Sequence, residues 1–288
     1  MKLGIAFSGG GVKGAVHIGV LKAMEEENIK FEYISGTSSG SIIATLYAIG
    51  YSPDEIYTIF KKYCNKIKYI DMRNIIKIIM TLVRKRKIEI TGLNTGKIIE
   101  NIINDVCEKK GIKNIMEVKV PLLLPSVNIQ TCEIYIFTSN SRKRSYSDNI
   151  VYINDARIGL AVRASCSYPG IFSPCEYNGI ELIDGGIREN IPWKETKKMG
   201  ADRVICVIFD KEKTRNKSKN LIDIVSNSFD ILCHELSNYE LNGADYILKI
   251  KTPSVHLLDI NEIDRLYKMG YQQTKKEINK IKQINKKY

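Results

Sequence analysis

Leu3-Gly4-Ile5-Ala6-Phe7-Ser8-Gly9-Gly10-Gly11-Val12-Lys13-Gly14 and Phe31-Glu32-Tyr33-Ile34-Ser35-Gly36-Thr37-Ser38-Ser39-Gly40 write the same phrase twice. In each, a short apolar run bounded by glycine reads as a buried strand. The residues after each run have the period of a helix. Over residues 15–26, Val16, Gly19, Val20, Ala23 and Met24 fall inward, and a second helix covers 41–49. Strand, glycine turn and helix repeated within fifty residues open a doubly wound α/β fold.

The same reading continues down the chain. Ser52-Pro53-Asp54-Glu55 supplies an N-cap serine, a first-turn proline and a capping-box glutamate, so a helix starts there. Helices are expected over 95–110 (ended by Gly111), 154–165, 221–239 and 263–284, and strands over 121–128, 133–138, 203–209 and 246–250. Asn178-Gly179 between Cys175-Glu176-Tyr177 and the apolar run 180–183 marks a hairpin. With no internal repeat and no Pro-, Gly- or Ser-rich linker, residues 1–288 read as one domain.

Composition narrows the class. At 288 residues, 44% hydrophobic and 26% charged, the chain is neither disordered, collagen-like nor membrane-spanning. The uncharged stretch 33–53 is broken by Ser, Thr and Gly and ends in Pro53, so it reads as soluble structure. Seven scattered cysteines form no C-x-x-C pair, which argues against a disulfide framework or zinc site. With no visible export signal, a cytoplasmic protein is expected.

The net charge of +12 is concentrated: residues 61–97 carry +9, 211–220 carry +4 and 268–288 carry +6, leaving −7 on the rest. Such patches suit an anionic surface. Alternatively, a biased genome has inflated Lys together with Ile and Asn. Over residues 71–86, Ile75, Ile78, Ile79 and Leu82 share a helical face opposite Arg73, Lys77 and Arg84. This basic amphipathic helix either packs on the domain or serves as a membrane-docking lid. No zinc-finger or RNP-like string supports nucleic acid.

Gly36-Thr37-Ser38-Ser39-Gly40 fits G-x-S-x-G between a strand and a helix, the context in which a sharp turn exposes a nucleophilic hydroxyl at Ser38. A histidine would be its ordinary base. His17 falls in an apolar helical pattern and reads as a core residue, His234 sits mid-helix, and His256 is a triad member by chain order only. Asp184-Gly185-Gly186, at the end of an apolar strand, offers a carboxylate at the rim where such folds present reactive groups, or else a simple turn cap. Gly9-Gly10-Gly11-Val12-Lys13-Gly14 can aim several N–H groups at one anionic spot. It lacks the G-K-[ST] ending of a phosphate loop and the acidic partner of a dinucleotide site, so an oxyanion is the better acceptor.

Four blocks resemble the patatin-like phospholipase family of serine acyl hydrolases. They are Gly9-Gly10-Gly11-Val12-Lys13-Gly14 with His17-Ile18-Gly19-Val20-Leu21; Gly36-Thr37-Ser38-Ser39-Gly40; Ala164-Ser165 with Pro169, Phe172 and Pro174; and Asp184-Gly185-Gly186 with Asn190 and Pro192. They occur in the family's order over residues 5–193. The resemblance implies a three-layer α/β/α sandwich around a mostly parallel central sheet. It places a Ser38–Asp184 dyad and an oxyanion hole on the amides of Gly9, Gly10 and Gly11, and implies hydrolysis of phospholipid or other lipid esters with no cofactor or metal. Lys13 stands where arginine is commoner and Gly186 where alanine is frequent. Residues 55–110, a candidate basic helical lid, and 211–288 match nothing in the family and leave substrate choice open. The alternatives are a soluble small-ester or thioester hydrolase and a non-catalytic binder of anionic membranes. Peripheral attachment to the inner membrane surface fits the basic patches, and oligomeric state is open.

Overall fold

The first apolar run forms β1 (Leu3–Phe7) and the second β2 (Tyr33–Gly36), each buried throughout. They pair in parallel, with Gly4 opposite Tyr33 and Phe7 opposite Gly36, so the chain between them must cross over, and α1 (Gly14–Glu25) does so. The computed structural model describes residues 1–66, 91–140, 149–211, 221–255 and 259–285.

Around this pair grows one sheet, to which the chain adds β3 (Leu122–Asn128), β4 (Ile134–Thr138), β5 (Ile150–Ile153), β8 (Arg203–Lys211) and β9 (Tyr246–Thr252). The strand order is β5-β4-β3-β2-β1-β8-β9, and β3 through β9 along that path run parallel. β4 is antiparallel to β3, as is the second strand of the hairpin β6 (Cys175–Tyr177) and β7 (Ile180–Asp184). Asn178 (φ 49°) and Gly179 (φ 80°) form the tight turn of that hairpin, as their sequence predicts.

Helices cover both faces because strand residues alternate. Leu3, Ile5 and Phe7 join the larger core with α1, α2 (Ser39–Ala48), α3 (Pro53–Cys64), α4 (Lys97–Glu108), α5 (Ile158–Ser165) and α8 (Ile263–Asn285). Ala6 points the other way, into a smaller core with Trp193 and Met199 of α6 (Trp193–Met199) and with Leu241, which follows α7 (Leu221–Glu240). The result is the expected layered fold around a mostly parallel sheet.

α1 is buried on nearly every side rather than on one, because α8 lies against it. A Cβ at Gly19 would overlap the Tyr267 carbonyl, and one at Gly270 the Val16 carbonyl, so paired glycines let the two backbones touch. The helix at Ser52 starts with the predicted capping box: the Glu55 N–H donates to Ser52 Oγ (3.3 Å) and the Ser52 N–H to Glu55 Oε2 (2.7 Å). Sequence reading missed β5 and α6, and it started α5 four residues early. Among the described residues no helix is long and apolar enough to cross a membrane. The basic helix expected at 71–86, His256 and the basic loop after Lys211 lie outside the described residues.

One arrangement positions the site. β3 carries β4 along one edge, opposite Leu123 to Val127. Its other edge is shared: β2 pairs with Leu122 and Leu123, and β7 with Ser126, Val127 and Asn128. β2 runs with β3 and β7 runs against it, so the two strands point at each other in one slot. Pro125, which has no N–H to leave unpaired, stands at the gap between them.

Candidate active site

Just past the end of β2, Ser38 adopts φ 53° and ψ −125°, a left-handed φ that is rare outside glycine. The flanking glycines make this turn possible. A Cβ at Gly36 would overlap the Gly40 carbonyl, and one at Gly40 would sit 2.7 Å from the carbonyl oxygens of Phe7 and Ser8. The turn is held further by the Ser38 N–H donating to Ser165 Oγ (3.1 Å), while the Ser38 carbonyl accepts from Ser41 Oγ (2.6 Å) and from the Cys166 thiol (3.1 Å). Ser38 itself remains half-exposed at the N-terminus of α2, where the helix dipole favours developing negative charge.

Opposite, at the end of β7, Asp184 is 2% exposed. Its Oδ1 accepts the Gly186 N–H (2.8 Å), so Asp184 caps this turn. The cap uses only one oxygen. The Ser38 hydroxyl interacts with the carboxylate and favours its charged form, while Oδ2 is buried without a fully formed hydrogen bond. Burial, opposed by the nearby Ser38 hydroxyl and by the Gly186 N–H, raises the Asp184 pKa from 3.8 to about 6. Gly185 is required here too, because a Cβ would overlap the Pro125 carbonyl in the gap of β3.

The glycine loop forms the third side. Gly11 is left-handed (φ 58°), and a Cβ at Gly10 would overlap the Phe209 ring. The loop closes into α1 through Lys13 N–H donating to the Gly10 carbonyl (3.2 Å). Of the three amides expected to form an anion hole, that of Gly9 donates to Asn190 Oδ1 (3.0 Å). The Gly10 and Gly11 N–H groups donate to no protein acceptor among the described residues.

Among the described residues, histidine takes no part in this arrangement. His17 is buried between the rings of Phe7 and Phe209 with its Nε2 on the Ser8 carbonyl (2.8 Å). Burial lowers its pKa to about 4, so the ring is neutral and shapes the glycine loop. His234 lies exposed on α7 beside Asn238. Among the described residues no His, Cys, Asp and Glu cluster could hold a metal. Lys13 is buried, with its ammonium 5.8 Å from the centre of the Phe209 ring.

The structure thus brings Ser38, Asp184 and the glycine loop together. Sequence reading assigned no role to Ser165 and Asn190, although both lie in the resembling blocks. Ser237 and Cys233 of α7 carried no signal at all, since only the fold places that helix beside the acid turn.

Comparison with known proteins gives the family and the fold. The family model described as patatin-like phospholipase matches residues 5–197. A lysophospholipase NTE1 of Meyerozyma guilliermondii is 29% identical over 205 residues, which cover 71% of this chain and 12% of the relative. An uncharacterized protein, YqhO of Bacillus subtilis, is 27% identical and matched over 82% of this chain and 84% of its own length. The crystal structure of VipD from Legionella pneumophila superposes with a TM-score of 0.53 at 17% identity, over 97% of this chain and 67% of VipD. Human GIVD cytosolic phospholipase A2 gives 0.51 at 11% identity, over 98% and 59%. The chain spans only about an eighth of the NTE1 relative's length.

Proposed function

The chain belongs to the patatin-like phospholipase family, and on that premise we propose that it is a lipid acyl hydrolase working through an acyl-serine intermediate. The observation that carries this reading is the head-on approach of two strand ends beside β3, with a strained, half-exposed serine on one and a buried carboxylate on the other.

In the proposed reaction, Asp184 accepts the proton of Ser38 as the serine oxygen attacks the ester carbonyl. A carboxyl pKa near 6 makes a stronger base than an ordinary aspartate while leaving it ionised at pH 7. Negative charge on the tetrahedral intermediate falls to backbone N–H groups of the glycine loop and to the N-terminus of α2, a preorganised donor contributing about 3 to 4 kcal/mol. The leaving alcohol takes the proton, and Asp184 then activates water to release the fatty acid. No histidine or metal enters these steps.

A second observation favours an aggregated lipid over a small soluble ester. α7, whose inner side touches the acid turn through Cys233 Sγ and the Gly186 carbonyl (3.1 Å), exposes Ile224, Ile231, Leu232 and Tyr239. Apolar side chains left in water on the helix that backs the acid turn suit contact with acyl chains. The basic segment 61–97 adds attraction to anionic headgroups. The protein is therefore proposed to work at a membrane surface without crossing it.

Turnover of short- and long-chain p-nitrophenyl esters, measured beside phospholipid and lysophospholipid in mixed micelles, tests the reading. Long-chain and micellar substrates should be preferred, and Ser38→Ala and Asp184→Asn should each lower kcat by about 10³-fold or more with the fold intact. Retained turnover in either variant removes that residue from the dyad. Exclusive use of short soluble esters returns the small-ester alternative.

A further inference from the structure

Resting on the acyl-hydrolase reading, we propose that Asn190 is a positioning residue that withdraws the Gly9 N–H from the anion hole. It uses that group as the anchor that aims the Gly10 and Gly11 amides, and Ser237 of α7 locks its side chain in place. A run of three glycines is the most mobile backbone a chain can make. Donors stabilise a transition state only if they are fixed before it forms. Something must therefore hold this loop from outside.

Asn190 is placed to do so and leaves no ambiguity about its orientation. It is 8% exposed. The Gly9 N–H can only donate, so the atom facing it at 3.0 Å is the amide oxygen. The other end, Nδ2, donates to Ser237 Oγ at 2.7 Å. Ser237 has one proton and gives it to the Cys233 carbonyl at 2.6 Å, which leaves its oxygen to accept. Donation thus runs one way, from the Gly9 N–H through Asn190 and Ser237 to the Cys233 carbonyl of α7.

The same short segment ties in the other two parts of the site. The Glu189 carbonyl accepts from Thr37 Oγ1 (2.8 Å), one residue before the proposed nucleophile. Asn190 Oδ1 is 3.0 Å from where a Cβ on Gly9 would lie and 3.4 Å from where one on Gly186 would lie, so it sits between the glycine loop and the acid turn. Behind it, the Ile191 N–H donates to Glu240 Oε2 (3.3 Å) and Trp193 Nε1 to the Glu240 carbonyl (2.8 Å). These bonds fasten the segment to the end of α7. Two consecutive residues therefore set the spacing between nucleophile turn, glycine loop and acid turn, with α7 as the fixed support.

The test uses the full chain with Asn190→Ala, Ser237→Ala and the double variant, in steady-state kinetics and in amide hydrogen exchange of the peptide covering the glycine loop. Asn190→Ala should lower kcat about 10- to 100-fold with KM within about twofold, because substrate still binds but charge in the transition state is poorly met. Ser237→Ala should lower kcat less, and the double variant should be no worse than Asn190→Ala, because both act through one chain of bonds. Exchange at the glycine loop should quicken in all three. An unchanged kcat, a loss confined to KM, or single effects that multiply in the double variant would overturn the proposal. If the wild type hydrolyses no ester, the acyl-hydrolase reading falls. The exchange measurement still decides the anchor, since unaltered loop protection in both single variants would sink it. Should Asn190→Ala fail to fold, Ser237→Ala, which keeps the asparagine, carries the same two outcomes.

Discussion

At Ser38 the backbone is held at φ 53°, with glycines on both sides where a Cβ would strike main-chain carbonyls. At Asp184 the backbone is relaxed, at φ −50°, and the unusual feature is the buried carboxyl raised to about 6. The two turns end strands aimed at each other beside β3. One is set apart by backbone geometry and the other by desolvation. Geometry of the first kind needs only near neighbours in the chain, so it leaves a readable string. Desolvation needs the whole fold around it.

Glycine tolerance breaks this contrast most sharply. Gly36→Ala should cost about 3 kcal/mol or more and with it nearly all turnover, because a methyl there overlaps the Gly40 carbonyl. Gly186→Ala at the acid turn should keep activity within a few-fold, since its nearest neighbours are the Asp184 and Asn190 side-chain oxygens at 3.1 and 3.4 Å. Thermal melting together with ester turnover checks both. Equal sensitivity at the two glycines would dissolve the distinction.

The pH–rate profile should show the next largest effect. If Asp184 acts as base, log kcat/KM should fall by about one unit per pH unit below pH 6, with no limb from His17, whose pKa is lowered to about 4 by burial. Loss of activity beginning only near pH 4 would mean that burial does not raise the carboxyl in the working enzyme.

Stability should move the opposite way. A carboxyl raised from 3.8 to about 6 holds its proton more tightly in the folded state, so the fold loses stability as pH climbs through that window. Asp184→Asn should therefore be more stable than wild type at pH 8, by up to about 3 kcal/mol, and lose that advantage below pH 4. Urea titrations at pH 4 and pH 8 measure the difference. An unchanged gap would show that burial does not set the carboxyl's affinity for its proton.

The smallest effect concerns Ser165. Ser165→Ala leaves the Ser38 N–H without its acceptor and should cost about 1 to 2 kcal/mol and several-fold in kcat. It would show that even the local turn leans on α5.

Much of the architecture was legible because it rests on local signals. The β1 run, the capping box at Ser52 and the Asn178-Gly179 hairpin carry their conformations in residues adjacent in the chain. β5 and α6 were not legible. β5 is four residues completed by pairing with β4, and α6 is a short, largely charged helix, Trp193–Met199, held by tertiary contacts of Trp193 and Thr196. The pattern of α1 suggested one inward face holding Val16 and Gly19; that face meets α8 through Gly19 and Gly270, and the rest of the helix is buried as well. Spacing that suits close helix approach is recognisable only once the partner is known.

Alone, the chain's order of residues determined the strand–turn–helix units and the strained serine turn, because these depend on Cβ sterics and on spacing within a few residues. Tertiary structure decided which carboxyl meets Ser38, how far its proton affinity rises, and that Gly9 is tied to Asn190 and Ser237. Those outcomes depend on burial and on hydrogen bonds between residues far apart in the chain, distances that only packing sets.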